Sequence, residues 1–173
     1  MAAGDTLLIL TARDAIPTAT SGVPHAIFAG ASTPAEGIPV LSYDSGTKEY
    51  ADFICVMPRH YGGGGVTLTL YWASTQTSNA CRWAAAFCAV PDDTKDMNTG
   101  GHSYDFNTVD ATTASAAGEF DYATIAFTNG ADMDSVAAGQ MFVLRVARYG
   151  DAAEDNMTGD AFLAAIEVRE TPA

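Results

Sequence analysis

Val66-Thr67-Leu68-Thr69-Leu70-Tyr71-Trp72 sets Val66, Leu68, Leu70 and Trp72 on one side of an extended chain and Thr67, Thr69 and Tyr71 on the other. Successive side chains of a strand point to opposite faces, so this run reads as a strand with one face buried and one wet. The same period of two recurs downstream. Cys81 to Val90 sets Trp83, Ala85 and Phe87 against Arg82, Ala84 and Ala86, and Pro91 closes it. Glu119 to Thr128 alternates Ala123, Ile125 and Phe127 with Tyr122, Thr124 and Thr128, then meets Asn129-Gly130, a strong turn signal. Met141 to Tyr149 is expected to bury Phe142, Leu144 and Val146. Ala161 to Glu170 is expected to bury Phe162, Ala164, Ile166 and Val168. Arg145 and Glu167 would then face outward as a cross-strand pair. Gly150 to Asp160 between these two strands reads as a long polar loop, and Met133 to Ala138 as a short connecting helix or 3₁₀ turn.

Tyr50 to Met57 carries Ile54 and Val56 opposite Phe53, Cys55 and Met57, which predicts a strand covered on both faces. Residues 1–48 differ in texture. Pro17, Pro24, Pro34 and Pro39, four of the seven prolines, interrupt short apolar runs there and confine the chain to edge strands or an extended arm. The organisation expected is an extended, proline-bearing segment over 1–48 followed by one domain over 49–173. Eight or so short strands joined by Gly, Pro, Asn and Asp turns, with no crossover helices, point to an all-β antiparallel β-sandwich or jelly roll.

Composition narrows the function. Eight Lys plus Arg face 21 Asp plus Glu in 173 residues, a formal net charge of −13, and no basic stripe is present to release counterions from a polyanion. Nucleic acid and anionic membrane are therefore excluded as expected partners. The apolar run Leu7 to Leu10 is too short for a signal core or a membrane span, which reads as synthesis in a cytoplasm. Cys55, Cys81 and Cys88 lack metal spacing. Cys81 and Cys88 sit on one strand roughly 23 Å apart, so buried free thiols are expected.

No catalytic constellation is legible. Gly62 to Gly65 lacks the Lys-Ser/Thr and the helix of a phosphate loop, and reads as a tight connection between strands. His25, His60 and His102 are isolated, so no transition-metal site is expected. Calcium is the one ion the acidic loops could suit, through Asp92, Asp93 and Asp96 or through Asp151, Glu154 and Asp155. Neither set has EF-hand spacing, and solvated acids are the preferred reading. No cofactor is expected. Arg59, His60 and Tyr61 form the densest polar-aromatic cluster and are candidate contact residues.

The run Ala51-Asp52-Phe53, Val56 to Tyr61, Gly62 to Gly65 and Val66 to Ala73 resembles a strand-loop-strand unit of small jelly-roll virion proteins of tailed bacteriophages. Tyr122 to Ile125, Met133 to Gly139, Phe142 to Arg148, Asp155 to Asp160 and Phe162 to Val168 resemble that family's closing strands. The resemblance implies a non-enzymatic capsid decoration (cement) protein. It would be a homotrimer on the outer capsid surface of the virion, with the major capsid protein as partner. In that reading Leu7, Leu8, Ile9, Leu10, Ile38, Val40 and Leu41, with Arg59, His60 and Tyr61, would grip the shell. The alternative is a phage fibre tip, receptor-binding tip or carbohydrate-binding module using Tyr61, Tyr71 and Trp72 or the acidic loops around Asp92 and Asp151. The strand alternation turns Trp72 inward and leaves Tyr71 eligible.

Overall fold

Four antiparallel pairings nest inside one another along the chain: β4 (Gly37–Tyr43) with β11 (Ala161–Glu170), β5 (Lys48–Val56) with β10 (Met141–Tyr149), β6 (Val66–Ser74) with β9 (Phe120–Phe127), and β7 (Ala80–Val90) with β8 (Asn107–Thr112). This nesting is the wrapped hairpin of a jelly roll. The computed structural model describes residues 4–99 and 101–171. β11 also pairs with β6, and β10 with β7, and with β2 (Ala15–Pro17) and β3 (His25–Ala29) the strands close into a six-stranded sheet ordered β3-β4-β11-β6-β9 and a five-stranded sheet ordered β2-β5-β10-β7-β8. β1 (Thr6–Thr11) shares an edge of β11 with β4 and completes the six-stranded sheet.

The core lies between the sheets. Val66, Leu68, Leu70 and Trp72 of β6 are buried, and so are Trp83, Ala85 and Phe87 of β7. Edge-on aromatic contacts link the two layers: Trp72 to Trp83 with centroids 5.8 Å apart, Tyr43 to Trp83 at 5.1 Å, and Phe87 to Phe127 at 4.9 Å. Cys55, Cys81 and Cys88 are buried free thiols.

Residues 1–48, expected as a segment apart, contribute four strands to the sheets. β1, β2 and β3 each have one partner strand and so lie at sheet edges, whereas β4 stands between β3 and β11, and Leu7, Leu10, Val40 and Leu41 are buried. The prolines did not exclude the chain from the sheet because β4 forms its ladder with β11 only through Leu41–Tyr43, beyond Pro39.

Three expectations about facing are corrected. Arg145 and Glu167 do not pair, because β10 and β11 lie in different sheets. Arg145 instead makes a two-pronged ion pair with Asp52 of β5, both contacts 2.7 Å. Phe162 and Ala164 turn outward while Leu163, Ile166 and Val168 are buried. A register shift between Leu163 and Ala165 inserts an extra residue and moves the pattern by one, as a β-bulge does. Ile54 and Val56 of β5 are exposed, not covered. The cover on that face belongs further along: the segment between β7 and β8 lays Tyr104 against the Arg145 guanidinium (4.0 Å) and Phe106 against Tyr50 and Tyr149. Ala84 and Ala86, on the outer side of β7, are buried as well.

The glycine run closes a sandwich end. Tyr61 Oη donates to the Gly64 carbonyl, and the Gly62 and Gly64 N–H groups donate to the Glu170 carboxylate at 2.8 and 3.3 Å. The anion cradled there is the chain's own. A Cβ at Gly65 would sit 2.2 Å from the Phe127 carbonyl oxygen, so Gly65→Ala must push β6 off β9. That overpacking is expected to cost about 1–3 kcal/mol, read as a lower urea midpoint.

Candidate functional site

The outward face of the six-stranded sheet is built by the polar half of the β6 alternation. Strand register lines up Ile9, Glu167, Thr69 and Thr124 in one row and Thr11, Ala165, Tyr71 and Tyr122 in the next. Four strands at a spacing of about 4.8 Å make each row roughly 14 Å long. Tyr71 and Tyr122 stand directly opposite each other with ring centroids 4.6 Å apart and planes at 63°. Tyr122 is 63% exposed. The Glu167 carboxylate lies close enough to the Tyr71 phenol to act on it electrostatically, and it accepts from Thr6 Oγ1. Desolvation first, and then the Glu167 charge, push the Tyr71 phenol above its ordinary range, so it stays a donor at neutral pH. The face thus presents two aromatic rings, threonine hydroxyls and one carboxylate.

A wall bounds it on one side. The next row inward along β6 is Ala73, flanked by Phe120 of β9 and Phe162 of β11. Phe28, from β3, lies over that row with its ring 5.0 Å from Phe162 and 6.0 Å from Phe120. To touch both rings, the β3–β4 hairpin must arch from the β11 side across the sheet to β9. The hairpin thus raises one wall beside the open face that carries Tyr71 and Tyr122, and the strip of face along that wall, which runs across the strands, is a one-sided trough. At the hairpin's far end a cleft of about 400 Å³ opens between it and the start of β9.

The sequence-expected contact residues scatter. Leu7, Leu10, Val40, Leu41 and Tyr61 are buried and cannot meet a partner without opening the core. Leu8 is half-buried, whereas Ile9 (70%) and Ile38 (37%) are exposed, Ile9 on the tyrosine face and Ile38 at the hairpin cleft. Arg59 and His60 are exposed at the glycine end of the sandwich, with Arg59 lying against Gly139. Of the aromatic alternatives, Trp72 and Tyr61 are internal and Tyr71 is on the face. Tyr122, Glu167 and Phe28 were missed as site residues. Tyr122 was legible as an outward residue of its strand, but its position opposite Tyr71 depends on a pairing that joins strands 50 residues apart.

The acidic loops are engaged by cations of the chain. Asp155 is paired with the fully buried Arg148 through contacts of 2.8 and 2.9 Å. Glu154 meets Arg82 at 2.7 Å, and Asp151 lies 3.8 Å from Lys48. Each of those three carboxylates faces a different cation of the chain. Asp96 caps its own turn by accepting from the Asn98 N–H at 2.9 Å. Among the described residues, no group of three or more His, Cys, Asp or Glu gathers in metal-binding geometry. A second depression, of about 480 Å³, lies between the glycine run and Ser135–Ala138, and no carboxylate, histidine, lysine or arginine lines it.

No family model matches the chain, and no curated protein does. Solved structures do. The CBM22-1 xylan-binding domain of Xyn10C from Paenibacillus barcinonensis superposes with a TM-score of 0.54 at 11% identity, covering 99% of this chain and 97% of that one. The CBM22-1-GH10 modules of Xyn10B from Clostridium thermocellum, complexed with xylohexaose, give 0.51 at 11% identity over 98% of this chain and 28% of that one. An exo-beta-1,3-galactanase from Phanerochaete chrysosporium gives 0.50 at 13% identity over 96% of this chain and 29% of that one. This chain spans less than a third of the length of the last two. Likeness at such identity establishes the β-sandwich jelly-roll architecture.

Proposed function

We propose that the chain is a non-catalytic carbohydrate-binding module that holds a neutral polysaccharide across the strands of its six-stranded sheet. The observation that carries this reading is the Tyr71–Tyr122 pair, with Tyr122 exposed and Tyr71 half-buried, beside Glu167 and three threonine hydroxyls. Aromatic rings offer flat apolar surface to the C–H faces of sugar rings, while hydroxyls and a carboxylate exchange hydrogen bonds with sugar hydroxyls. A net charge of −13 favours neutral over anionic chains. Cleavage of a glycosidic bond uses two carboxylates flanking it, and the two rows that form the floor contain Glu167 alone. The superposition on a xylan-binding domain supports the fold half of this reading.

The capsid-coating reading needs the Leu7–Leu10 and Ile38–Leu41 runs to be free, and Leu7, Leu10, Val40 and Leu41 belong to the core. A glycan-binding tip of a virion fibre is the form in which the phage resemblance fits this proposal. The test is affinity electrophoresis of the whole chain in gels containing soluble xylan, mixed-linkage β-glucan or β-1,3-galactan. Retardation by at least one of them, with no release of reducing sugar, is the expected result. Unretarded migration in all three would overturn the proposal.

A further inference from the structure

The cleft at the hairpin's far end differs from the trough in one respect: its lining has almost no hydrogen-bonding side chain. Phe28, Ile38, Phe120 and Ala29 form its apolar walls, Gly118 leaves it open, and Glu36 is its one charged group. The walls are preformed, because Phe28 is wedged between Phe162 and Phe120. Phe120 lies two residues before Tyr122, on the same face of β9, so the cleft continues the trough.

A bare sugar ring is a poor occupant. Hydroxyls turned toward Phe28, Ile38 and Phe120 would meet no side-chain partner but Glu36, and an unpaired buried hydroxyl costs about 1–3 kcal/mol. A flat aromatic group fits better, since phenyl edges and faces complement another ring in offset or T-shaped contact. The carboxylate at Glu36 disfavours an anionic substituent and can accept from a phenol. We infer that the cleft receives a hydroxylated aromatic acyl group esterified to the polysaccharide held in the trough. This inference rests on the glycan-binding reading above and specifies its ligand class.

The test is calorimetric titration of the whole protein with xylohexaose and with the same oligosaccharide carrying one para-hydroxycinnamoyl ester. The ester is expected to bind at least tenfold more tightly. In Ile38→Asp, which puts a charge at the exposed cleft wall, the ratio of the two affinities should fall to near one. Equal affinities in the wild-type protein would overturn the inference and leave the module reading standing. An ester advantage that survives Ile38→Asp unchanged would also overturn it, by placing the acyl group elsewhere. Failure of both ligands to bind, together with failure in the gel assay, would remove the module reading and this inference with it.

Discussion

Arg148→Ala is expected to remove about 3–5 kcal/mol of folding stability, most of what a domain with a typical total of about 5–15 kcal/mol can lose before it unfolds. Arg148 is fully buried. It occupies the position on β10 that continues the inward series Phe142, Leu144 and Val146, so its guanidinium projects into the end of the core. Every donor direction there is answered. Nε and Nη2 donate to Asp155 at 2.9 and 2.8 Å, Nη1 donates to the Gly159 and Tyr43 carbonyls at 2.7 and 3.2 Å, and Nη2 donates to the Met157 carbonyl at 2.7 Å. The residue thereby fastens β4 and the Gly150–Asp160 loop to β10. Its removal strands the Asp155 carboxylate, which is also fully buried, without a counter-ion.

A buried ion pair can often be exchanged for apolar residues at little cost, which gives the prediction a sharper form. Here Arg148→Met combined with Asp155→Leu is expected not to restore stability. Three carbonyls would lose their donor, and the Arg82 backbone N–H, which donates to Asp155 at 2.9 Å, would lose its acceptor. Urea unfolding of the two variants decides it. A loss below about 1 kcal/mol in Arg148→Ala, or a double variant as stable as the parent, would show that the loop is held by something else.

The same residue marks where the sequence stops being legible. Alternation alone identifies β6, β7, β9 and β10 and sorts their inward from outward residues, because one-sided burial is a local property of each strand. It says nothing of which strands are neighbours. Arg145 and Glu167 looked like a pair because their strands are consecutive, yet β10 and β11 lie in opposite sheets. The acids at Asp151, Glu154 and Asp155 looked solvated because the arginines that meet two of them come from β7 and β10. The inward parity of Arg148 was a signal in plain view: a charged residue on a buried face needs a buried partner. The bulge near Ala164 and the arch of the β3–β4 hairpin left no such trace, since both depend on contacts between segments far apart in the chain.

Tyr122→Ala and Tyr71→Ala are each expected to weaken polysaccharide binding by about 2 kcal/mol, some thirtyfold in Kd, as truncation of an aromatic anchor at the centre of a contact does. The two differ in what else they disturb. Tyr122 is largely exposed, so its loss should change folding stability by no more than about 0.5 kcal/mol. Tyr71 is half-buried and packed beside Glu167, so its truncation also alters the surroundings of that carboxylate. Tyr71→Phe separates the two roles: it keeps the ring against Tyr122 and removes the hydroxyl, and should retain most of the affinity if ring stacking dominates. Ile54→Ser, on the exposed flank of the five-stranded sheet, supplies the control and should leave binding as it was. Titration of each variant with the polysaccharide that retards the parent in the gel gives the comparison. If Tyr122→Ala binds like the parent while Ile54→Ser does not, the ligand lies on the five-stranded sheet. The trough between Tyr122 and the hairpin would then be a packing feature of the jelly roll.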